Sequence, residues 1–172
     1  MLLLASMNVF ASPIPGPSKP GFFYHPKGFR IDAAGTAWVQ SEVPKTIPSL
    51  VTIYKSPVPV DGQQAALTVR FDSLKRNQGL KSYVKRWMQD YTRFGFDVLT
   101  AKNIKINEQN AFLLDIVSRE TQKQLRQVVF MKDKLAVILT CRDGRDSFQK
   151  SVQDCNQIIK SFQWTDAVPE VN

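Results

Sequence analysis

Chemistry in this sequence would have to come from two cysteines, one histidine and one acidic turn. Cys141 and Cys155 are its only cysteines and bracket the stretch "CRDGRDSFQKSVQDC". Their spacing is not C-x-x-C, so a thioredoxin-type redox motif is absent. Two thiolates cannot complete a Cys₄ or Cys₂His₂ zinc site without further ligands, and His25 is the only histidine. Cys141 ends a strand-like run on the same face as Val137 and Leu139, and Cys155 falls on the apolar stripe of the helix expected next. If that helix folds back on the sheet, the two sulfurs can meet. The favoured reading is a Cys141–Cys155 disulfide formed in an oxidising compartment, with two buried thiols as the alternative and metal binding or catalysis last. A closed loop of ~15 residues would stabilise by about 3 kcal/mol in the chain-entropy model. Cα atoms more than about 7 Å apart would exclude the bridge.

His25 stands beside Pro26 in an expected surface turn, with no identifiable nucleophile or carboxylate to work with as a general base. Asp143 and Asp146 lie in "RDGRD" at 142–146, which lacks the ligand number and spacing of a calcium loop. An Asp-Gly turn leading into a helix cap explains that stretch. No G-x-S-x-G, H-E-x-x-H or phosphate-binding loop is present. The sequence therefore assigns no catalytic residue, no metal ligand and no cofactor, and reads as a non-enzyme.

The chain has 172 residues, 43% hydrophobic and 22% charged, which suits one globular domain with a sizeable core. Lys and Arg total 23 against 15 Asp and Glu, a formal net charge of +8. Such a balance favours acidic partners: nucleic acid, anionic lipid or an acidic protein face. The surplus is concentrated between residues 70 and 105, where nine basic residues face three acidic ones. Within that stretch Lys75, Arg76, Lys81, Lys85, Arg86 and Arg93 are the candidate partner-binding residues; a solvated helix face is the plainer alternative. No apolar stretch reaches the ~18–20 residues needed to span a bilayer.

The first residues bear on compartment. Leu2–Ala11 is a short apolar run whose Val9-Phe10-Ala11 end matches a signal-peptidase site, with cleavage before Ser12. A basic segment ahead of the leucines is missing, so a cytoplasmic chain with an apolar start is the alternative. Residues 1–11 are thus read as a signal peptide and residues 12–20, with four prolines, as an extended tether. A single domain spans 21–164, and 165–172 is a loose polar tail. The expected location is periplasmic or secreted.

The elements that must position these residues follow from periodicity. "FFYHPKGFRIDA" is two apolar clusters around a Pro26-Lys27-Gly28 turn. "AWVQSEV", "SLVTIYKSPV" and "AALTVRFDSL" are strand-like, the last with Leu67, Val69 and Phe71 on one face. Residues 79–94 form an amphipathic helix with Leu80, Tyr83, Val84, Trp87, Met88, Tyr91 and Phe94 along its apolar face, and Trp87 in the core. Gly95 sits where a left-handed cap is expected. Four strands joined by hairpin-length turns follow, and a last helix runs from about Asp146 to Phe162, capped by Asp146 or Ser147. Runs of strands punctuated by helices define an α+β class, an antiparallel sheet covered by two amphipathic helices.

Three stretches carry a family resemblance. "GFFYHPKGFRIDAAGTAW", "YVKRWMQDY" and "AVILTC…SFQKSVQDCNQIIKSFQW" are similar to corresponding parts of PsbP-like domains, over about 21–164. The sequence departs from the usual opening at Ala33-Ala34-Gly35-Thr36, where a Pro-containing turn before the Trp is commoner. The resemblance implies an α/β/α sandwich and a mostly non-enzymatic accessory, assembly or adaptor role. Members bind very different partners, so fold does not fix function. The leading expectation is a non-catalytic exported protein that serves a bacterial envelope or secretion complex and contacts an acidic partner, either protein or an anionic lipid surface. Nucleic acid is disfavoured, because an exported chain rarely meets it and the helix aromatics are expected to be buried. The alternative is a periplasmic carrier holding a small apolar ligand or lipid between helix and sheet.

Overall fold

Alternation of apolar and polar side chains makes the second half of the chain a meander, and the chain order then decides what each face receives. A computed structural model describes residues 21–60 and 62–166. The expected signal peptide (1–11), the tether (12–20) and the tail from 167 onward lie outside the described residues. The elements run β1 (Phe22–His25), β2 (Phe29–Asp32), β3 (Val39–Ser41), β4 (Leu50–Lys55), β5 (Ala66–Ser73), α1 (Leu80–Arg93), β6 (Phe96–Ile106), β7 (Gln109–Ser118), β8 (Lys123–Lys132), β9 (Leu135–Gly144), α2 (Phe148–Lys160) and β10 (Gln163–Trp164).

Among the described residues there are two antiparallel sheets. The larger has the order β3-β4-β5-β9-β8-β7-β6, and the smaller β1-β2-β10. After β5 the chain crosses one face of the large sheet as α1 and starts again at the far edge with β6. It then returns strand by strand until β9 pairs with β5, Val69 opposite Leu139 and Phe71 opposite Val137. The β6–β7 turn places Asn107 and Glu108 at positive φ, 48° and 63°. That is the two-residue geometry whose twist suits a hairpin.

The two faces of the large sheet are filled unequally. One face carries Leu67, Val69, Val128, Phe130, Val137 and Leu139, packed against Phe148, Val152, Cys155, Ile158 and Ile159 of α2. The opposite face carries Phe112, Val129, Ala136 and Ile138 beneath Tyr83 and Val84 of α1. Helices on both faces give an α/β/α sandwich of α+β class, with the deeper core on the α2 side.

Several expectations change in detail. The small sheet, not anticipated as a separate unit, seals one end of the α2 core with Phe29 and Ile31, both fully buried. The last helix ends at Lys160, and Phe162 lies in the core just beyond it. The chain stays tied for two residues past 164, because the Thr165 N–H donates to Gly28 O (2.9 Å) and the Tyr24 hydroxyl to Asp166 O (3.0 Å). Ser147 occupies the N-cap position without a side-chain capping bond; its hydroxyl donates to Gly144 O at 3.2 Å. Gly95 takes the left-handed conformation at φ +79° and turns the chain out of α1. Phe94, expected on the buried stripe, is 74% exposed, and Trp87, expected in the core, is only partly buried. The physical reason is coverage: α1 packs mainly on β6, β7 and β8, so the side of its stripe that carries Trp87, Tyr91 and Phe94 borders a groove open toward β5.

Candidate functional site

The open half of the α1 face forms a groove of about 450 Å³. Its floor is built by strand parity: Arg70 and Asp72 alternate with the buried Val69 and the partly buried Phe71 of β5, which face the other side, beside Ile138 and Thr140 of β9. Gln127 of β8 extends the floor through its pairing with Thr140. One wall is α1, which presents Tyr83, Trp87, Tyr91 and Phe94 to the groove at helical spacing.

Hydrogen bonds fix this lining. The Tyr83 hydroxyl donates to Asp72 Oδ2 at 3.1 Å, and burial together with that carboxylate pushes the phenol pKa well above its ordinary value. The Tyr91 hydroxyl donates to Gln127 Oε1 at 2.6 Å, and Gln127 Nε2 donates to Thr140 Oγ1 at 3.3 Å. Burial raises the Tyr91 pKa as well. Both phenols are therefore neutral donors. The Tyr83 and Trp87 rings meet edge to face with centroids 4.6 Å apart. Sequence reading missed the polar floor, whose signal was the Thr68/Arg70/Asp72 side of the alternating strand.

All six candidate basic residues are exposed. Lys75 and Arg76 lie in the β5–α1 connection, and Lys81, Lys85, Arg86 and Arg93 lie on α1. Among these six only Arg93 approaches a carboxylate within the described residues, with Asp90 Oδ1 at 3.9 Å. The Arg86 guanidinium lies over the Tyr83 ring, 5.9 Å from its centroid.

Cys141 and Cys155 are joined in a disulfide with Cα atoms 6.2 Å apart, linking β9 to α2 beneath the buried face. Both are buried. Beside them, Arg126 donates two hydrogen bonds to the Asp115 carboxylate (2.8 and 2.8 Å) and a third to Asn156 of α2 at 3.2 Å. That bidentate contact raises the already high Arg126 pKa.

His25 is more than a surface turn residue. Its ring stacks on Phe29 at 4.8 Å and meets Phe71 at 5.1 Å, and its Nδ1 accepts the Lys27 N–H at 3.2 Å. Burial, and secondarily the Lys27 charge, lowers its pKa below 6.5. Among the described residues, no group of three His, Cys, Asp or Glu side chains could hold a metal ion. No helix among them is long and apolar enough to cross a membrane.

No family model matches the chain, and no curated relative matches it in sequence. Solved structures do match. The cyanobacterial PsbP protein, CyanoP, of Synechocystis sp. PCC 6803 superposes with a TM-score of 0.61 at 11% identity, over 89% of this chain and 98% of that one. The fold is that of PsbP-like domains. LpqN of Mycobacterium tuberculosis, described as involved in cell envelope biogenesis, matches with a TM-score of 0.60 at 12% identity, over 83% of this chain and 87% of LpqN. A Pseudomonas aeruginosa protein of unknown function, PA94, matches with a TM-score of 0.58 at 19% identity, over 73% and 96% of the two chains. At these identities the likeness speaks to the PsbP-like fold, and the site has to be argued from its own residues.

Proposed function

We propose that this protein is a non-catalytic accessory module of a bacterial envelope or secretion assembly, docking on an acidic protein partner through Lys75, Arg76, Lys81, Lys85, Arg86 and Arg93. The observation that carries the reading is the state of these six side chains: all exposed, with Arg93 alone near a carboxylate among the described residues. Unpaired cations on one helix and its leading loop attract an acidic face and speed its encounter. An anionic lipid surface is the second partner class, and its headgroups would meet the same charges. The PsbP-like fold supports a binding role, since LpqN is tied to envelope biogenesis and CyanoP carries the same sandwich.

Export belongs to the same proposal. The Leu2–Ala11 run supports a cleaved leader, with the domain beginning after the proline tether. The Cys141–Cys155 bridge supports an oxidising compartment. Replacing Lys81, Lys85 and Arg93 together by Glu is expected to abolish recovery of the partner from detergent-solubilised native envelopes, while the far-UV spectrum stays unchanged. Undiminished recovery by the folded triple variant would remove this surface from consideration.

A further inference from the structure

The groove between α1 and the open half of the sheet has a composition that neither a packed core nor a docking face explains. Its wall is aromatic, its floor is polar, and its one cation, the exposed Arg70, is not ion-paired among the described residues, although Asp72 and Asp90 also line the groove. The Arg70 guanidinium reaches only a neutral partner, donating to the Ser49 hydroxyl at 3.3 Å. Among the described residues no carboxylate lies within 4.0 Å of it. The two acids of the groove are engaged elsewhere: Asp72 accepts the Tyr83 hydroxyl (3.1 Å), and Asp90 lies 3.9 Å from Arg93. An arginine presents a planar fork of donors that matches a carboxylate in bidentate fashion. Beside it stand the partly buried Trp87 and the exposed Phe94 ring, faces on which a flat apolar body can lie. A volume of about 450 Å³ suits a small molecule. Lys81 and Lys85, exposed on the same helix, add a field that concentrates anions near the groove.

We propose that this groove is a binding site for a small aromatic carboxylate, with the ring against Trp87 and Phe94 and the carboxylate on Arg70. A purely apolar guest would cover the Arg70 guanidinium without pairing its charge, which costs free energy. An ammonium-bearing guest would meet Arg70 as a like charge. This site is independent of the macromolecular docking proposed above, because Arg70 lies on the sheet floor and the docking residues lie on α1 and its leading loop.

Three probes that share an indole ring and differ in charge test the assignment: indole-3-acetate, tryptophol and tryptamine. Calorimetric titration of the full chain is expected to give indole-3-acetate about a tenfold or greater advantage over tryptophol, as a charge-assisted hydrogen-bonded pair provides. Tryptamine is expected to bind weakest. Amide shifts on titration are expected at Gln127, Thr140 and along α1. Arg70→Gln is expected to erase the preference for the acid, and the triple Glu variant of Lys81, Lys85 and Arg93 to retain a preference for it. Equal affinity for all three probes, a preference for tryptamine, or no binding at millimolar concentration would overturn the proposal. The probe comparison uses the wild-type chain, so it holds whatever the variant's stability.

Discussion

Phe162 and Trp87 are both large aromatics next to a helix, and the structure asks very different things of them. The Phe162 ring stacks on Phe130 at 4.1 Å and on Phe29 at 6.0 Å and is fully buried, so it joins α2, the large sheet and the small sheet in one contact. Phe162→Ala is expected to cost about 3–5 kcal/mol, the range for emptying a packed aromatic site. Trp87 borders the groove and is partly solvated, so Trp87→Ala is expected to cost less than half of that, about 1–2 kcal/mol. Urea midpoints of the two variants check the order. A Trp87 variant as unstable as the Phe162 variant would mean that α1 sits deeper than described. His25 supplies a pH test at the same scale. Its neutral form is favoured in the folded chain, because burial disfavours the imidazolium and Nδ1 accepts the Lys27 N–H. The lowered folded pKa means that the stability it contributes is fully present above 6.5 and is lost as pH falls through the folded value. Urea midpoints on either side of pH 6.5 should therefore diverge more for the wild type than for His25→Phe. Equal divergence in the two proteins would show that other groups carry the acid sensitivity.

At the scale of elements, the disulfide is what holds α2 to the strand that precedes it. It closes a loop of sequence separation 14 across the β9–α2 turn. A Cys141→Ala/Cys155→Ala variant is expected to lose about 3 kcal/mol, by the chain-entropy account of a loop this size. Comparing its urea midpoint with that of the oxidised wild type measures the loss, and an unchanged midpoint would contradict it. The elements also show where sequence reading succeeds. The β6–β9 meander was legible because each strand is ten or eleven residues long and its partner is next in the chain. The meeting of Cys141 and Cys155 was legible because strand parity and helix stripe put both on apolar faces. The small sheet was not: β10 has two residues, and its pairing with β2 spans most of the chain, so no local pattern announces it. A cleft between helix and sheet entered only as the apolar-ligand alternative, and its polar floor and extent were not legible. An apolar stripe says which side of α1 turns inward, and it cannot say how many strands the helix is wide enough to cover.

For the whole molecule, the fold is PsbP-like, and the two proposals add export, one face for a macromolecule and one groove for a small ligand. The +8 charge is only loosely tied down by internal ion pairs. Among the described residues, Arg126–Asp115 is the well-buried pair, and Arg93–Asp90, Lys105–Glu108 and Arg119–Asp97 are solvent-exposed and worth little. The proposed export has its own consequence for chain chemistry. Protein purified from its native host should begin at Ser12, and its two thiols should label only after reduction. A chain that keeps Met1 and labels freely would place it in the cytoplasm and reopen nucleic acid as a partner. The most direct measurement is photocrosslinking in the native host, with a photoreactive residue placed at Lys85 on α1 and, as a control, at the exposed Lys150 on α2. The account predicts one discrete adduct from position 85, none from position 150, and loss of the adduct when Lys81 and Arg93 are changed to Glu. Equal adducts from both positions, or an adduct indifferent to those charges, would contradict it.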